Sequence, residues 1–122
     1  FGWQMAKEVG RLDIGQTVVV KDQAVLAVEA IEGTDEAIRR GGKLCNGGAV
    51  VVKICKPQQD LRFDLPAAGV QTIATMKEVK AACLAVEAGK TIILDKESVI
   101  AEANEAGIAI VGVGEKGLRT TG

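Results

Sequence analysis

The sequence contains no histidine among its 122 residues. This absence excludes Ser–His–Asp and Cys–His catalysis, histidine metal ligands and histidine proton shuttles. Any acid–base or metal chemistry must therefore use carboxylates, whose oxygen atoms suit hard cations such as Mg²⁺ or Mn²⁺ better than Zn²⁺.

Aromatic residues are almost as scarce, because the chain has one tryptophan, two phenylalanines and no tyrosine. A base-stacking surface of the RNA-binding kind has almost nothing to be built from. The formal net charge is −1, with 15 basic and 16 acidic residues, so an electrostatic footprint for nucleic acid is also missing. We therefore expect no nucleic-acid partner.

Long apolar runs and paired cysteines are missing too. No run approaches the roughly 20 residues that span a bilayer, and no signal peptide is visible. Cys45, Cys55 and Cys83 form no CxxC motif, so we expect three free, buried thiols in a reducing cytoplasm. The chain begins at Phe1 rather than methionine, and we expect it to be a fragment of a longer protein.

The residues that are abundant favour a compact α/β domain over residues 1–122. Hydrophobic residues make up 48% of the chain, and 15 glycines provide for tight turns. Helices are predicted at residues 3–9, 35–40, 72–82 and from Asp95 or Ser98 to Ala106, with glycines ending the first two. Strands are predicted at residues 17–21, 23–30, 49–55, 83–87, 91–94 and 108–113, in one mixed sheet with packed helices, and the tail from Gly114 is expected to be loose.

Two charged segments directly follow apolar runs. The first, residues 29–35, ends in Glu32-Gly33-Thr34-Asp35 at the start of a predicted helix. Asp35 could bind a metal or orient water there while free amides face an anion. The alternative is a helix cap, since Thr and Asp are routine at these positions. A third nearby acid, Glu29, favours function, because close carboxylates repel unless a cation neutralises them.

The second segment, residues 56–66, lies between Pro57 and Pro66 and follows a predicted strand. Its basic groups, with Lys53 just before it, could clamp phosphate oxygens, and its aspartates could share a metal with Asp35. The alternative is a solvated loop with internal salt bridges. Because both segments follow strand carboxyl ends, we expect one shared cleft that contains Asp35, Asp60, Arg62 and Asp64, with Lys53 or Lys56 beside them.

Two glutamates near strand ends also have a functional and a structural interpretation. Glu29 and Glu87 each lie near the end of an otherwise apolar predicted strand, in the matching runs at residues 26–30 and 84–88. Each could reach solvent, or could face a cavity, in the case of Glu87 beside Lys90 and Thr91.

Four blocks of sequence carry a family resemblance. They read GRLDIGQ at residues 10–16, AVEAIEGTD at 27–35, KICKPQQDLRFDLP at 53–66 and AVEAGKT at 85–91. The chain resembles the UDP-2,3-diacylglucosamine pyrophosphatases of lipid A biosynthesis that lack a calcineurin-like phosphoesterase motif. The resemblance covers about residues 10–113, and its two central blocks are long and rare.

This resemblance implies a bacterial enzyme at the inner leaflet. Such enzymes use a divalent metal to hydrolyse the pyrophosphate of UDP-2,3-diacylglucosamine, releasing UMP and 2,3-diacylglucosamine 1-phosphate through attack of water on the α-phosphorus. The aspartate of the EGTD block, here Asp35, is the family's essential acid. The family also has an N-terminal domain that encloses the lipid together with the C-terminal one, so this chain is expected to be the C-terminal catalytic domain.

The resulting hypothesis is a cytoplasmic enzyme, peripheral to the inner membrane, that uses Mg²⁺ or Mn²⁺ and forms a homodimer. A non-catalytic ligand-binding or dimerisation module is the alternative. The predicted site has catalytic residues Asp35 and Glu32, substrate-binding residues Lys53, Lys56, Gln59, Arg62, Thr34 and Glu87, and metal ligands Asp35, Asp60 and Asp64.

Overall fold

A computed structural model describes residues 1–57, 67–114 and 117–120 of the chain. In these residues the elements follow the order α1 (Gly2–Arg11), β1 (Thr17–Lys21), β2 (Ala24–Val28), α2 (Thr34–Gly42), β3 (Val50–Lys53), β4 (Ala67–Ala68), α3 (Val70–Glu78), β5 (Cys83–Glu87), β6 (Ile92–Ile93), α4 (Lys96–Ala106), β7 (Ala109–Gly114) and β8 (Gly117–Thr120). No helix in these ranges is long and apolar enough to cross a membrane.

The main sheet is mixed, as predicted, and over the described residues its strand order is β2-β1-β3-β5-β7-β8. Strand β1 is antiparallel to both β2 and β3, whereas β3, β5 and β7 are parallel to one another. The carboxyl ends of β2, β3, β5 and β7 therefore meet at one edge of the sheet, together with the start of β1.

Helices cover both faces of this sheet. Alternating residues along a strand point to opposite faces, so Val51 of β3 packs in a cluster with Ile38 of α2 and Ile73 of α3. Its neighbour Val52 packs in a second cluster with Ala6 of α1. Helices α2, α3 and α4 therefore share one face, and α1 lies on the other. Each fully buried aliphatic side chain contributes about 1.5–3 kcal/mol to this core.

Two predictions about strands are wrong. The segment at 91–94 does not join the main sheet, because β6 pairs in parallel with β4 in a separate two-stranded sheet. The tail was expected to be loose, but β8 pairs antiparallel with β7 and satisfies backbone groups at that edge.

One prediction about glycines ending helices is wrong. Gly10 lies inside α1, which ends at Arg11, and an added Cβ at Gly10 would come within 2.6 Å of the Ile54 side chain. The predicted end of α2 is confirmed, because Gly42 is its last residue, and a Cβ there would overlap the side chain of Val79. These glycines allow helices to approach the sheet and each other closely. The predicted end of α4 is confirmed, since Gly107 is its C-cap residue with φ of 71°.

Candidate functional site

Polar side chains gather where β1 begins and β2 and β3 end. Thr17 and Lys53 are paired residues of β1 and β3. Glu29 directly follows β2, and its N–H donates to the carbonyl of Thr17 at 2.9 Å. All three residues are buried, with exposed fractions of 0%, 8% and 6% for Thr17, Glu29 and Lys53. Buried polar groups in such number at one strand edge are typical of a ligand site.

A hydroxyl pair connects this edge to helix α2. The Thr34 hydroxyl donates to Glu29 Oε1 at 3.2 Å and lies 3.3 Å from the hydroxyl oxygen of Thr17. Thr34 is the first residue of α2, so this contact fixes the start of the helix against the sheet. The Glu29 side chain therefore points toward these buried residues. Of the two possibilities that the sequence left open for Glu29, reaching solvent is excluded.

Lys53 carries a positive charge into the same region. Its Nζ donates to the carbonyl of Ala67 at 2.7 Å. Burial lowers the pKa of Lys53, while the negative charges of Glu29 and Asp35 act in the opposite direction. Both carboxylates therefore influence the lysine electrostatically, and the predicted position of Lys53 beside Asp35 stays a prediction.

Asp35 lies in the first turn of α2, together with Glu36. The N-cap residue is Gly33, with φ of 91°, and no side chain of the described residues caps the helix. Gly33 therefore occupies the N-cap position, and Asp35 lies in the first turn, where a negative charge also complements the helix dipole. The helix start also offers N–H groups and a positive dipole end to an anionic ligand.

Glu32 lies outside this buried group. Its carboxylate accepts hydrogen bonds from Arg40 at 2.8 Å and from the Ala30 N–H at 3.3 Å. The Arg40 hydrogen bond, followed by that of Ala30, lowers the pKa of Glu32. Its catalytic role stays a prediction.

Glu87 lies on the opposite face of the sheet. Ala85, two residues earlier in β5, packs in the α1 cluster, so strand alternation places Glu87 on that face. Its carboxylate contacts Lys7 of α1 and the N–H of Cys55. The direct contact with substrate predicted for Glu87 remains untested.

Five predicted site residues remain, of which the structure describes one. Lys56 forms an ion pair with Asp13 at 3.1 Å, next to the end of α1. Four predicted site residues lie outside the described residues, namely Gln59, Asp60, Arg62 and Asp64. Their convergence with Asp35 stays a prediction.

The described part of the site fits a hard cation only in part. Among residues 1–57, 67–114 and 117–120, no three Cys, Asp or Glu side chains are placed so that they could hold a metal ion. The donors that are present, Glu29 and Asp35, are carboxylates with the oxygen chemistry that Mg²⁺ prefers. Two buried oxygen atoms also lack a hydrogen-bond partner in this part of the chain, Gln16 Oε1 and Thr91 Oγ1.

Sequence reasoning missed two residues of this region. Thr17 was assigned only to a strand, although a polar residue at the start of an apolar run could have signalled an edge position. Lys7 was assigned only to helix α1, and its partner Glu87 is 80 residues away. Such a distant pair leaves no local pattern in the sequence.

A cavity of about 440 Å³ lies away from these residues. Arg39, Lys43 and Lys80 line it, near the starts of β3 and β5. It is therefore at the edge of the sheet opposite Glu29 and Lys53, and it contains none of the predicted site residues.

Gly15 positions Glu29 and provides a test of the packing at this edge. A Cβ added at Gly15 would overlap the carbonyl oxygen of Glu29. We expect Gly15→Ala to lower the free energy of unfolding by about 1–3 kcal/mol, measured by urea denaturation. Gly69→Ala is the control, because its Cβ would lie 3.7 Å from the nearest atom outside its neighbours. Equal stability of the two variants would contradict this packing.

The fold is an α/β domain with a cluster of buried residues of mixed charge at the carboxyl edge of its parallel strands, the edge where such domains bind ligands. The family model described as the LpxI C-terminal domain matches residues 1–111. The chain therefore belongs to the LpxI C-terminal domain family, as the sequence resemblance predicted.

A curated relative from Caulobacter vibrioides is named UDP-2,3-diacylglucosamine pyrophosphatase LpxI. It is 44% identical to this chain over 117 residues, which cover 89% of the chain. The same match covers 42% of the relative, so the chain spans less than half the length of the curated relative it matches.

Proposed function

We propose that this chain is the catalytic C-terminal domain of a UDP-2,3-diacylglucosamine pyrophosphatase of lipid A biosynthesis. The whole protein hydrolyses the pyrophosphate bond of that lipid and releases UMP and 2,3-diacylglucosamine 1-phosphate. Membership of the LpxI C-terminal domain family and the name of the Caulobacter relative support this proposal. The observation that carries it is the convergence of Glu29, Thr34, Asp35 and Lys53 at one edge of the sheet.

The reaction needs charge compensation at the pyrophosphate, and the site offers it. Lys53 is a buried cation placed to bind phosphoryl oxygens, where the low local dielectric strengthens the attraction. The N–H groups at the start of α2 are further donors for an anion. The predicted substrate-binding residues would bind the remaining oxygens of the pyrophosphate. They are Lys56, Gln59 and Arg62.

In the proposed reaction the nucleophile is water, and Asp35 orients it. An O–P bond forms at the α-phosphorus, and the bond from this phosphorus to the bridging oxygen breaks. That oxygen leaves with the sugar phosphate, while the proton of the water passes to solvent. Asp35, with Asp60 and Asp64, would hold a Mg²⁺ or Mn²⁺ ion, which when bound supplies Lewis-acid stabilisation of the developing charge.

The same proposal includes the setting of the enzyme. It acts in the cytoplasm at the surface of the inner membrane, where its lipid substrate lies, and it works as a homodimer. Residues from the rest of the protein complete the lipid site.

The test uses the full-length protein that contains this chain. We expect UMP release from UDP-2,3-diacylglucosamine in Mg²⁺ or Mn²⁺, and its loss in EDTA with recovery when metal is added back. Chromatography of UMP and of the lipid product gives equal amounts if one pyrophosphate bond is cleaved. Substrate binding without any UMP release would instead support a non-catalytic ligand-binding module.

A further inference from the structure

Glu87 is a buried carboxylate that is held from three directions. It is 5% exposed. Its Oε1 accepts the N–H of Cys55 at 2.9 Å, while its Oε2 lies 3.1 Å from Lys7 Nζ and 3.8 Å from Lys90 Nζ. These partners belong to α1, to the segment after β3 and to the segment after β5. One side chain therefore connects three separate parts of the chain.

The contact with Cys55 lies where β3 and β5 separate. The two strands pair as far as Lys53 and Val86, and Cys55 is beyond the last paired residue. Beyond the end of this pairing, the Glu87 carboxylate accepts the Cys55 N–H. The preceding N–H, of Ile54, donates to the carbonyl of Gln16 at 2.8 Å. Successive amides are thus fixed from both sides.

The backbone that Glu87 holds lies between two lysines of the proposed site. Lys53 precedes Cys55 by two residues, and Lys56 follows it directly. Lys53 points to the face that carries Glu29 and Thr34, whereas Glu87 points to the face that carries α1. The carboxylate therefore acts on the opposite side of the sheet from the buried polar cluster.

We propose that Glu87 is a positioning residue for hydrolysis, which holds the backbone between Lys53 and Lys56 so that both lysines meet the pyrophosphate, without binding the substrate itself. This inference rests on the proposed function. It replaces the substrate contact predicted for Glu87 from the sequence.

Loss of the carboxylate should loosen this backbone. The Cys55 N–H would lose its acceptor, and Lys7 and Lys90 would lose their shared counter-charge. Lysines that are less well positioned bind the pyrophosphate more weakly in the ground state and the transition state alike. Uniformly weaker binding of this kind raises KM and leaves kcat nearly unchanged.

The experiment compares Glu87→Ala and Glu87→Gln in the full-length protein, with Glu78→Ala as control. Glu78 is an exposed glutamate whose carboxylate pairs with Arg39. Hydrogen exchange of the Cys55 amide is measured by NMR, and kcat and KM are measured for UDP-2,3-diacylglucosamine. We expect Glu87→Ala to raise the exchange rate of the Cys55 amide about 10-fold and to raise KM about 10-fold. The value of kcat should stay within about 3-fold of wild type.

The conservative variant separates positioning from contact. The amide oxygen of Glu87→Gln can still accept the Cys55 N–H, so exchange and KM should stay within about 3-fold of the wild-type values. A KM raised about 10-fold by Glu87→Gln, with Cys55 still protected, would overturn the proposal in favour of direct substrate contact. If Glu87→Ala does not fold, this comparison still decides.

Two further outcomes are distinguishable. Faster Cys55 exchange in Glu87→Ala with unchanged KM would show a purely structural contact and would also overturn the proposal. A wild-type protein that hydrolyses nothing would refute the proposed function, whereas the exchange rate of Cys55 would still report whether Glu87 holds this backbone.

Discussion

Replacing Asp35 by alanine in the full-length protein is expected to lower kcat for hydrolysis of UDP-2,3-diacylglucosamine by about 10³-fold or more. Asp35 is the second residue of α2, directly after Thr34, whose hydroxyl contacts Glu29, and its charge acts on Lys53. Removing a metal ligand or water-orienting group affects the transition state most. Substrate binding should survive better than turnover, because the lysines still hold the phosphates.

The control for this variant is the neighbouring acid. Glu36→Ala removes another carboxylate from the first turn of α2, but this residue is exposed and pairs with Arg39. Exposed ion pairs contribute little, so kcat should stay within about 2-fold of wild type. Thermal melts of both variants monitor folding. A nearly normal kcat for Asp35→Ala with a lowered Tm would mean that Asp35 is structural and that the chemistry lies elsewhere.

The second large effect is expected at Lys53. Lys53→Met keeps most of the side-chain volume but removes the buried charge, and we expect kcat/KM to fall about 100-fold, since breaking a buried charge contact costs about 2–5 kcal/mol. The free energy of unfolding should not fall together with kcat/KM, because burial already disfavours the charged form of Lys53 and lowers its pKa. Lys77→Met, at an exposed lysine of α3, should leave kcat/KM unchanged. A nearly normal kcat/KM for Lys53→Met would remove this lysine from the site.

The lowered pKa of Lys53 also predicts how stability depends on pH. The folded chain releases this proton at a lower pH than the unfolded chain, whose lysine keeps the ordinary pKa of 10.5. Between the two pKa values the unfolded chain binds more protons, so stability due to this group rises with pH. Urea unfolding in EDTA should therefore show a less steep rise below pH 10.5 for Lys53→Met than for wild type. Parallel pH profiles would contradict the lowered pKa.

Local patterns in the sequence were sufficient for much of the fold. The apolar runs that became β1 and β5 had their observed bounds predicted, and Gly107 was correctly placed at the end of α4. The errors came from tertiary contacts. Gly10 resembles a helix stop in sequence, but it lies inside α1, where the Ile54 side chain leaves no room for a Cβ. The partner of β6 is β4, whose paired residues are 25 positions earlier in the chain, and no local pattern encodes that pairing.

The candidate site was predictable to a similar degree. Strand polarity was enough to place Lys53 and Glu29 at one edge of the sheet, because the carboxyl ends of parallel strands share an edge. The face of each side chain was harder to predict, because Glu29 and Glu87 end two similar sequence runs but lie on opposite sides of the sheet. Which face each glutamate takes depends on whether the odd-numbered or the even-numbered residues of its strand point to that face, and only the packed structure shows this.

Strand parity also restricts how this protein could change in length during evolution. Adding or deleting one residue within β3 would exchange the faces of all residues that follow, which would place Lys53 against α1 and Ile54 in the polar site. Helices cover both faces of the sheet, so neither side chain could reach solvent from its new position. Insertions and deletions should therefore be confined to segments such as the turn at residues 43–49, while substitutions accumulate within the strands.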